Sequence, residues 1–510
     1  MSIWLLGNQL SSTHGPVAQR QDEPVLLIES RAFARRHAYH PHKLIMVFSA
    51  MRHLRDELRS RGRTVHYYET ETFGAGLEAH FQQHPDDELV MMEPSGYDAG
   101  PSLRSLVESH GGQLEIVNNE LFLCSNDQFD EWADGEPPYR QEHFYRMMRR
   151  ETGYLMDDGE PLGGEWNYDG DNQQFPGTEY EAPTPPRFEP DELTETVIEW
   201  VGDTFEGSYD TEPQGGAWAA PEPFFWPVTR EEALSAVERF CEQRLVEFGP
   251  YQDAMVQEEW AMNHALLGAA INIGLVHPAE VIERVIEAAH ESATVPLNSV
   301  EGFVRQLLGW REFMRQVYRI SMPELEEANQ LDATESLPEA YWTGETNMNC
   351  LSTVVDGVRA RGYSHHIERL MILANFALIY GVEPKQLNDW FHAAYVDAHH
   401  WVTTPNVVEM GSFGAGIFAT KPYASSANYV DKMSDHCADC RYYKTKTTGE
   451  GACPFNTFYW EFLGRNEEDL RSNHRMALVY SHWDNKDETE RAEIFDRAEE
   501  LREMAATGEL

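Results

Sequence analysis

Five short apolar runs open the chain: Ile3 to Leu6, Val25 to Ile28, Val65 to Tyr68, Leu89 to Met92 and Leu114 to Val117. Between them lie stretches of helical periodicity such as Lys43 to Arg61, which stops at Gly62. Runs apolar at successive positions fit strands buried on both faces, and helices of that length between them impose right-handed crossovers, so a parallel sheet is expected. Ligands on such sheets sit at the carboxyl ends of the strands. The first strand runs into Gly7, Asn8, Gln9 and Leu10 and the second into Glu29 and Ser30, which makes these polar residues candidates for a small-molecule site or plain loop positions. No GxGxxG or Walker loop is present, which argues against an ordinary dinucleotide or nucleoside triphosphate site.

From about Asp157 to Pro227 the sequence is rich in Gly, Pro, Asp and Glu and has little periodicity, the mark of a long connector. Trp166-Asn167-Tyr168-Asp169 and Phe224-Phe225-Trp226 within it predict a segment draped over the surface. After Thr229 the pattern is helical, with stretches at Glu231 to Phe248, Trp260 to Ile273, Pro278 to His290, Val300 to Tyr318, His365 to Tyr380 and Pro384 to Val396. The organisation expected is an α/β domain over 1–130, a linker over 131–228 and a large all-α domain over 229–510.

Charge narrows the setting. Against 86 acidic side chains stand 40 basic ones, a net charge of -46 spread along the whole chain. Such self-repulsion opposes a compact state in dilute buffer and is screened within about 3 Å at molar salt. This reads as a cytoplasmic protein of a salt-accumulating organism such as a haloarchaeon. The melting temperature should therefore rise as ionic strength goes from about 0.1 M to above roughly 1 M; a flat or falling curve in a thermal scan would contradict the halophilic reading.

Four of the six cysteines, Cys350, Cys437, Cys440 and Cys453, fall in the C-terminal third, with Trp342, Trp390, Tyr423 and Tyr429 interleaved. Four soft thiolates suit either a structural zinc site or a [4Fe-4S] cluster, and spacing alone does not choose between these and simple burial. The start Met1-Ser2-Ile3-Trp4 has no charged-then-apolar leader, and no run is long and apolar enough to span a membrane, so disulfides are not expected.

Glu301 to Phe313, ending in Trp310-Arg311-Glu312-Phe313, resembles a helix of the photolyases and cryptochromes. Leu266 to Ala270 followed by Gly274 to Pro278 is similar to that superfamily's phosphate-cradling segment, with Tyr251 where its preceding tyrosine stands. His365-His366-Ile367-Glu368-Arg369 resembles the double-histidine motif of (6-4) photolyases, and Tyr395-Val396-Asp397 with Trp401 and Pro405-Asn406 the flavin-ring loop. With the four cysteines, the chain is identified as a member of the iron-sulfur bacterial cryptochromes and photolyases, the deoxyribodipyrimidine photolyase-related proteins.

The resemblance implies a Rossmann-like antenna domain joined by a long linker to a helical FAD domain. Arg369 and Asp397 would pair beside the flavin ring, where a charged pair stabilises its reduced forms. Tyr251, Arg311, Asn406 and, as a departure from the usual hydroxyl residue, His264 would hold the rest of the FAD. Trp342 and Trp390 would carry electrons from the surface, while the third station is here Phe391, with Tyr395 or Tyr363 as substitutes. A [4Fe-4S] cluster would sit on the four cysteines, leaving out Cys124 and Cys241. A 6,7-dimethyl-8-ribityllumazine antenna would meet Asn8, Gln9, Glu29 and Met51. His365, His366 and Tyr423 would form the lesion end of the flavin pocket, the histidines supplying a proton at near-neutral pKa.

The activity implied is light-driven repair of UV-damaged DNA, foremost (6-4) photoproducts, by an electron passed from excited reduced FAD to a flipped-out lesion, by a monomer with no membrane attachment. A cryptochrome-like blue-light photoreceptor without repair activity is the alternative. A light-independent iron-sulfur nucleic-acid-binding module is a third, because a helical iron-sulfur domain also resembles the primase large subunit.

Overall fold

The computed structural model describes residues 1–135, 137–205 and 218–510. Its N-terminal part is a five-stranded parallel sheet of order β3-β2-β1-β4-β5, built from β1 (Ser2–Leu5), β2 (Val25–Ser30), β3 (Val65–Thr70), β4 (Leu89–Met92) and β5 (Leu114–Val117). The three central strands are buried along their whole length, which is why they read as unbroken apolar runs.

Side chains alternate between two cores. Trp4, Leu26 and Ile28 join Leu77 and Phe81 of the helix Phe73–Gln83 and Val107 of the helix Ala99–Ser109. Ile3, Leu5, Val25 and Leu27 face the helix Pro41–Ser60 in a core continuous with that of the helical half. Gly76 lets the first of those helices close on the sheet, since a Cβ there would lie 2.5 Å from Ile28 Cγ2. The chain adds strands first on one side of β1 and then on the other, so the reversal lies between β1 and β4, where a crevice opens at the strand ends.

The segment expected as a bare connector contains the helix Glu192–Phe205. Val197, Ile198, Val201 and Phe205 are buried, with Phe205 and Trp200 against Phe48 of the helix Pro41–Ser60. Its i, i+4 apolar spacing was present in the sequence and was masked by the acidic, proline-rich flanks.

Two helical expectations need correction. Glu231 to Phe248 breaks at Arg244 into Arg230–Gln243 and Leu245–Tyr251. Trp260 to Ile273 is helical only over Gly268–Asn272; before it the backbone turns through Met262 and Leu266, both at positive φ. The reason is Arg244, whose buried guanidinium donates to the carbonyls of Met262 (2.9 Å) and His264 (3.1 Å) and also to that of Pro183. Those carbonyls are satisfied by a side chain, so the segment has no need of a helix ladder.

Three helices contain π-helical stretches: Arg305–Arg311 between Leu297–Val304 and Glu312–Ser321, Arg369–Ala374 between His366–Glu368 and Asn375–Tyr380, and Pro405–Gly411 after His400–Thr404. Such widened turns are rare and gather at functional sites; each of these holds one of Arg311, Arg369 and Asn406. Among the described residues no helix is long and apolar enough to cross a membrane.

Candidate functional site

Arg369 and Asp397 meet in a two-pronged ion pair, Nη1 to Oδ1 and Nη2 to Oδ2 both at 3.0 Å. The guanidinium is fixed further by Nε donating to Ser364 O (2.7 Å) and by the face of Tyr395, 3.9 Å away. Gly268 backs the carboxylate closely, a Cβ there lying 3.3 Å from Asp397 Oδ2. Planar two-point pairing of this kind sets direction as well as charge.

Beside the pair stands a histidine cluster. His264, delivered by the Arg244-held loop, stacks on His365 with ring centroids 4.7 Å apart and meets His366 edge-on at 5.2 Å. His264 and His365 are buried, and His264 Nε2 and His365 Nδ1 have no hydrogen-bond partner, as is also true of Gln252 Oε1 and Asn263 Oδ1. Burial and the neighbouring histidines hold both rings well below the ordinary imidazole pKa, so they are neutral at pH 7. His366 has a half-exposed ring with Nε2 3.3 Å from Asp253 Oδ1.

Beneath His365 lies Glu368, whose Oε2 accepts from the His365 backbone N–H (3.2 Å) and whose Oε1 is 3.4 Å from His365 Nε2, too poorly aligned for a hydrogen bond. Burial raises the Glu368 pKa to about 8. The expected near-neutral histidine donor is therefore not His365; the group that holds a proton there at pH 7 is Glu368.

The unfolded chain releases the Glu368 proton near the ordinary 4.5, so between 4.5 and about 8 the folded state binds the extra proton and stability falls as pH rises. The slope is on the order of 1.4 kcal/mol per pH unit. Glu368→Gln should flatten it; denaturant melts of wild type and variant across that window give the comparison, and parallel curves would refute the assignment.

Not every expected flavin contact faces this cluster. Arg311 is buried between Phe122 and Trp401 and donates to Glu312 Oε1 (2.6 Å) and Leu121 O (3.0 Å), leaving Nε without a partner. Glu312 in turn accepts from the backbone of Leu123 and Cys124, so the Trp-Arg-Glu-Phe helix clamps the end of the α/β part. Asn406 Nδ2 donates to Val402 O (2.7 Å), and Tyr251 packs on Tyr180 at 5.3 Å. Tyr423 is exposed, in a segment pinned through Ser425 to Asn375.

An aromatic line leads away from the ion pair. Tyr395 touches Trp390 (5.9 Å), Trp390 touches Trp342 (6.5 Å), and Trp342 touches Trp218 edge-on (5.3 Å). Phe391 stacks on Tyr395, while Tyr363 contacts Arg369 and Trp260. Trp218, Asp253 and Glu368 went unread in the sequence. Trp218 and Asp253 sit in no motif, and only the folded chain brings them to the aromatic line and to His366; Glu368 lies inside the double-histidine motif, but its role rests on burial, which the motif does not show.

Cys350, Cys437, Cys440 and Cys453 line one pocket with Met348, His436 and Phe455. Burial, with the other three thiols nearby, pushes the Cys350 pKa far up. Zinc ligation at 2.3 Å requires sulfurs about 3.8 Å apart. Among the described residues, no three of these thiols lie within 4.8 Å of one another. Cys124 and Cys241 lie elsewhere and are buried singly.

At the sheet crevice Asn8 Nδ2 donates to Ser95 Oγ (3.1 Å), and Gln9 Nε2 to Met92 O and Glu93 O (both 3.1 Å), leaving Gln9 Oε1 buried and unpartnered. Met51 is buried near Gly7. Glu29 lies on the neighbouring strand β2, where Arg52 (2.8 and 3.0 Å) and the Tyr67 hydroxyl donate to its carboxylate.

A parallel α/β sheet joined to a helical half with a part-buried Arg-Asp pair is the architecture of the photolyases. A crystal structure described as a bacterial class III photolyase from Agrobacterium tumefaciens matches it with a TM-score of 0.57 over 85% of this chain and 86% of that one, at 17% identity. The sequence profile of the deoxyribodipyrimidine photo-lyase-related proteins matches residues 3–218. The (6-4) photolyase of Agrobacterium fabrum is 38% identical over 505 residues, 97% of this chain and 98% of that protein. The chain belongs to this deoxyribodipyrimidine photo-lyase-related family. An uncharacterized protein of Acanthamoeba polyphaga mimivirus is also similar, 33% identical over 115 residues, 22% of this chain and 85% of the viral one.

Proposed function

We propose that the chain is a light-driven DNA photolyase that repairs UV lesions, (6-4) photoproducts foremost. The observation that carries this reading is the His264–His365–His366 cluster set directly against the Arg369–Asp397 pair. The unpartnered buried atoms of His264, His365, Gln252 and Asn263 mark a place built for a polar ligand, and this donor set fits FAD. Arg369, Asp397, His264, Tyr251, Asn406 and the free Nε of Arg311 would hold it. Bound there, reduced FAD supplies the photo-excited electron.

The chain's own residues do the rest. Arg369 and Asp397 present a fixed pair of opposite charges. His366, half-exposed beside Asp253, is the ring a flipped-out base would meet first, after extrusion at a cost of a few kcal/mol. Return of the lesion's transferred hydroxyl group needs a proton, and Glu368 holds one beneath His365. Tyr423 and Tyr429 would border the DNA. Tyr395, Trp390, Trp342 and, beyond the expected stations, Trp218 line an oxidisable route outward.

A [4Fe-4S] cluster would sit on Cys350, Cys437, Cys440 and Cys453, which line one shared pocket. The Asn8 and Gln9 crevice, with Gln9 Oε1 unpartnered, would take a ribityllumazine antenna, with Met51 and Glu29 as its further contacts. The functional units would follow the divisions at 1–130, 131–228 and 229–510.

Oligonucleotides carrying either a (6-4) product or a cyclobutane dimer, irradiated with blue light and resolved by chromatography, test the reading. Reversion of the (6-4) product is expected. Reversion of cyclobutane dimers alone would change the lesion, and no reversion by protein whose flavin photoreduces would favour the photoreceptor.

A further inference from the structure

The edge of the sheet carries a second group of metal-binding side chains, sharing no residue with the cysteine pocket. His66 projects from edge strand β3, His80 lies in the last turn of the helix Phe73–Gln83, and His84 caps that helix. One ring nitrogen from each lies within 4.8 Å of the other two, and the ring centroids are 5.2 Å (His66 to His80), 4.2 Å (His66 to His84) and 5.0 Å (His80 to His84) apart.

His80 is fully buried, and its Nε2 sits 2.8 Å from Asp87 Oδ2. An ionised carboxylate only accepts, so the His80 proton is on Nε2 and the lone pair is on Nδ1, near the Tyr68 hydroxyl at 3.5 Å. Asp87 is itself anchored by the Met1 ammonium at 3.1 Å. A histidine fixed from behind by a carboxylate is the arrangement that orients metal-bound imidazoles.

We propose that His66, His80 and His84 form a divalent transition-metal site, with Asp87 positioning His80, that ties edge strand β3 to the end of the following helix. Three imidazoles suit zinc, copper or nickel rather than magnesium or calcium. Zinc–nitrogen bonds of 2.0–2.1 Å place ligand nitrogens about 3.3 Å apart, so the rings must draw in by roughly 1 Å. His66 and His84 are half-buried and have room to do so, and the fourth position is left to water.

The test offers zinc alone to the intact protein and counts the metal retained after desalting, with iron and flavin quantified alongside. Wild type should retain about one zinc per chain more than the double variant His66→Thr/His84→Asn, and zinc should raise the melting temperature of wild type only. Asp87→Asn, which keeps all three ligands, should bind zinc about 10- to 100-fold more weakly. Equal flavin content in all three proteins separates lost binding from lost fold. Equal zinc retention and equal thermal shifts in wild type and the double variant would overturn the site, whatever the repair assay shows.

Discussion

His366→Ala is expected to abolish (6-4) repair, by on the order of 100- to 10,000-fold, while FAD binding and photoreduction stay close to wild type. The separation follows from position. The His366 ring is half-exposed and touches His264 and Asp253, whereas the Arg369–Asp397 pair is held by Ser364, Tyr395 and Gly268 and has no contact with it. On the proposed assignment, losing the ring removes what would face the lesion and leaves the charges that would face the flavin. His365→Ala is a poorer probe, because His365 is buried and its loss opens a cavity beside Glu368. Repair by His366→Ala at a rate near wild type would remove His366 from the reaction.

Cys437→Ala should lose the cluster altogether, taking iron from about four per chain to none under anaerobic purification. Cys124→Ser and Cys241→Ser should leave iron unchanged, since neither thiol reaches the shared pocket. The consequence extends to folding. Cys350 opens the helix Asn349–Arg361 and Cys453 caps the helix Pro454–Arg465, so a metal centre on these thiols would tie together helices far apart in sequence. A melting temperature well below wild type should accompany the loss of iron. Stoichiometric zinc without iron in wild type, or a retained cluster in Cys437→Ala, would refute the assignment.

The sequence made some of this legible for a simple reason: β1, β2 and β4 are buried on both faces, and that burial writes itself as unbroken apolar runs. The four cysteines were legible as residue types whose chemistry requires company, and the Arg369–Asp397 pair through the resemblance of its two segments to the photolyases and cryptochromes. What could not be read depends on partners distant in the chain. The loop that delivers His264 is non-helical because Arg244, 18 and 20 residues before the carbonyls it binds, satisfies them. Arg311 was read only as a residue that holds FAD, and its Nη groups also clamp Glu312 and Leu121. The proton on Glu368 arises from burial, which no local pattern announces.

The three π-helical stretches carry a consequence for how this site tolerates change. A π turn accommodates one residue more than the α-helical ladder allows, and each residue advances a helix by about 100°. Side chains before and after Arg369–Ala374 are thus in different rotational phase, and the same holds across Arg305–Arg311 and Pro405–Gly411. Removing one residue from any of them would let the turn close into an ordinary α-helical ladder and take away the widened backbone that carries Arg311, Arg369 or Asn406. These helices can drift in composition, but their length is fixed.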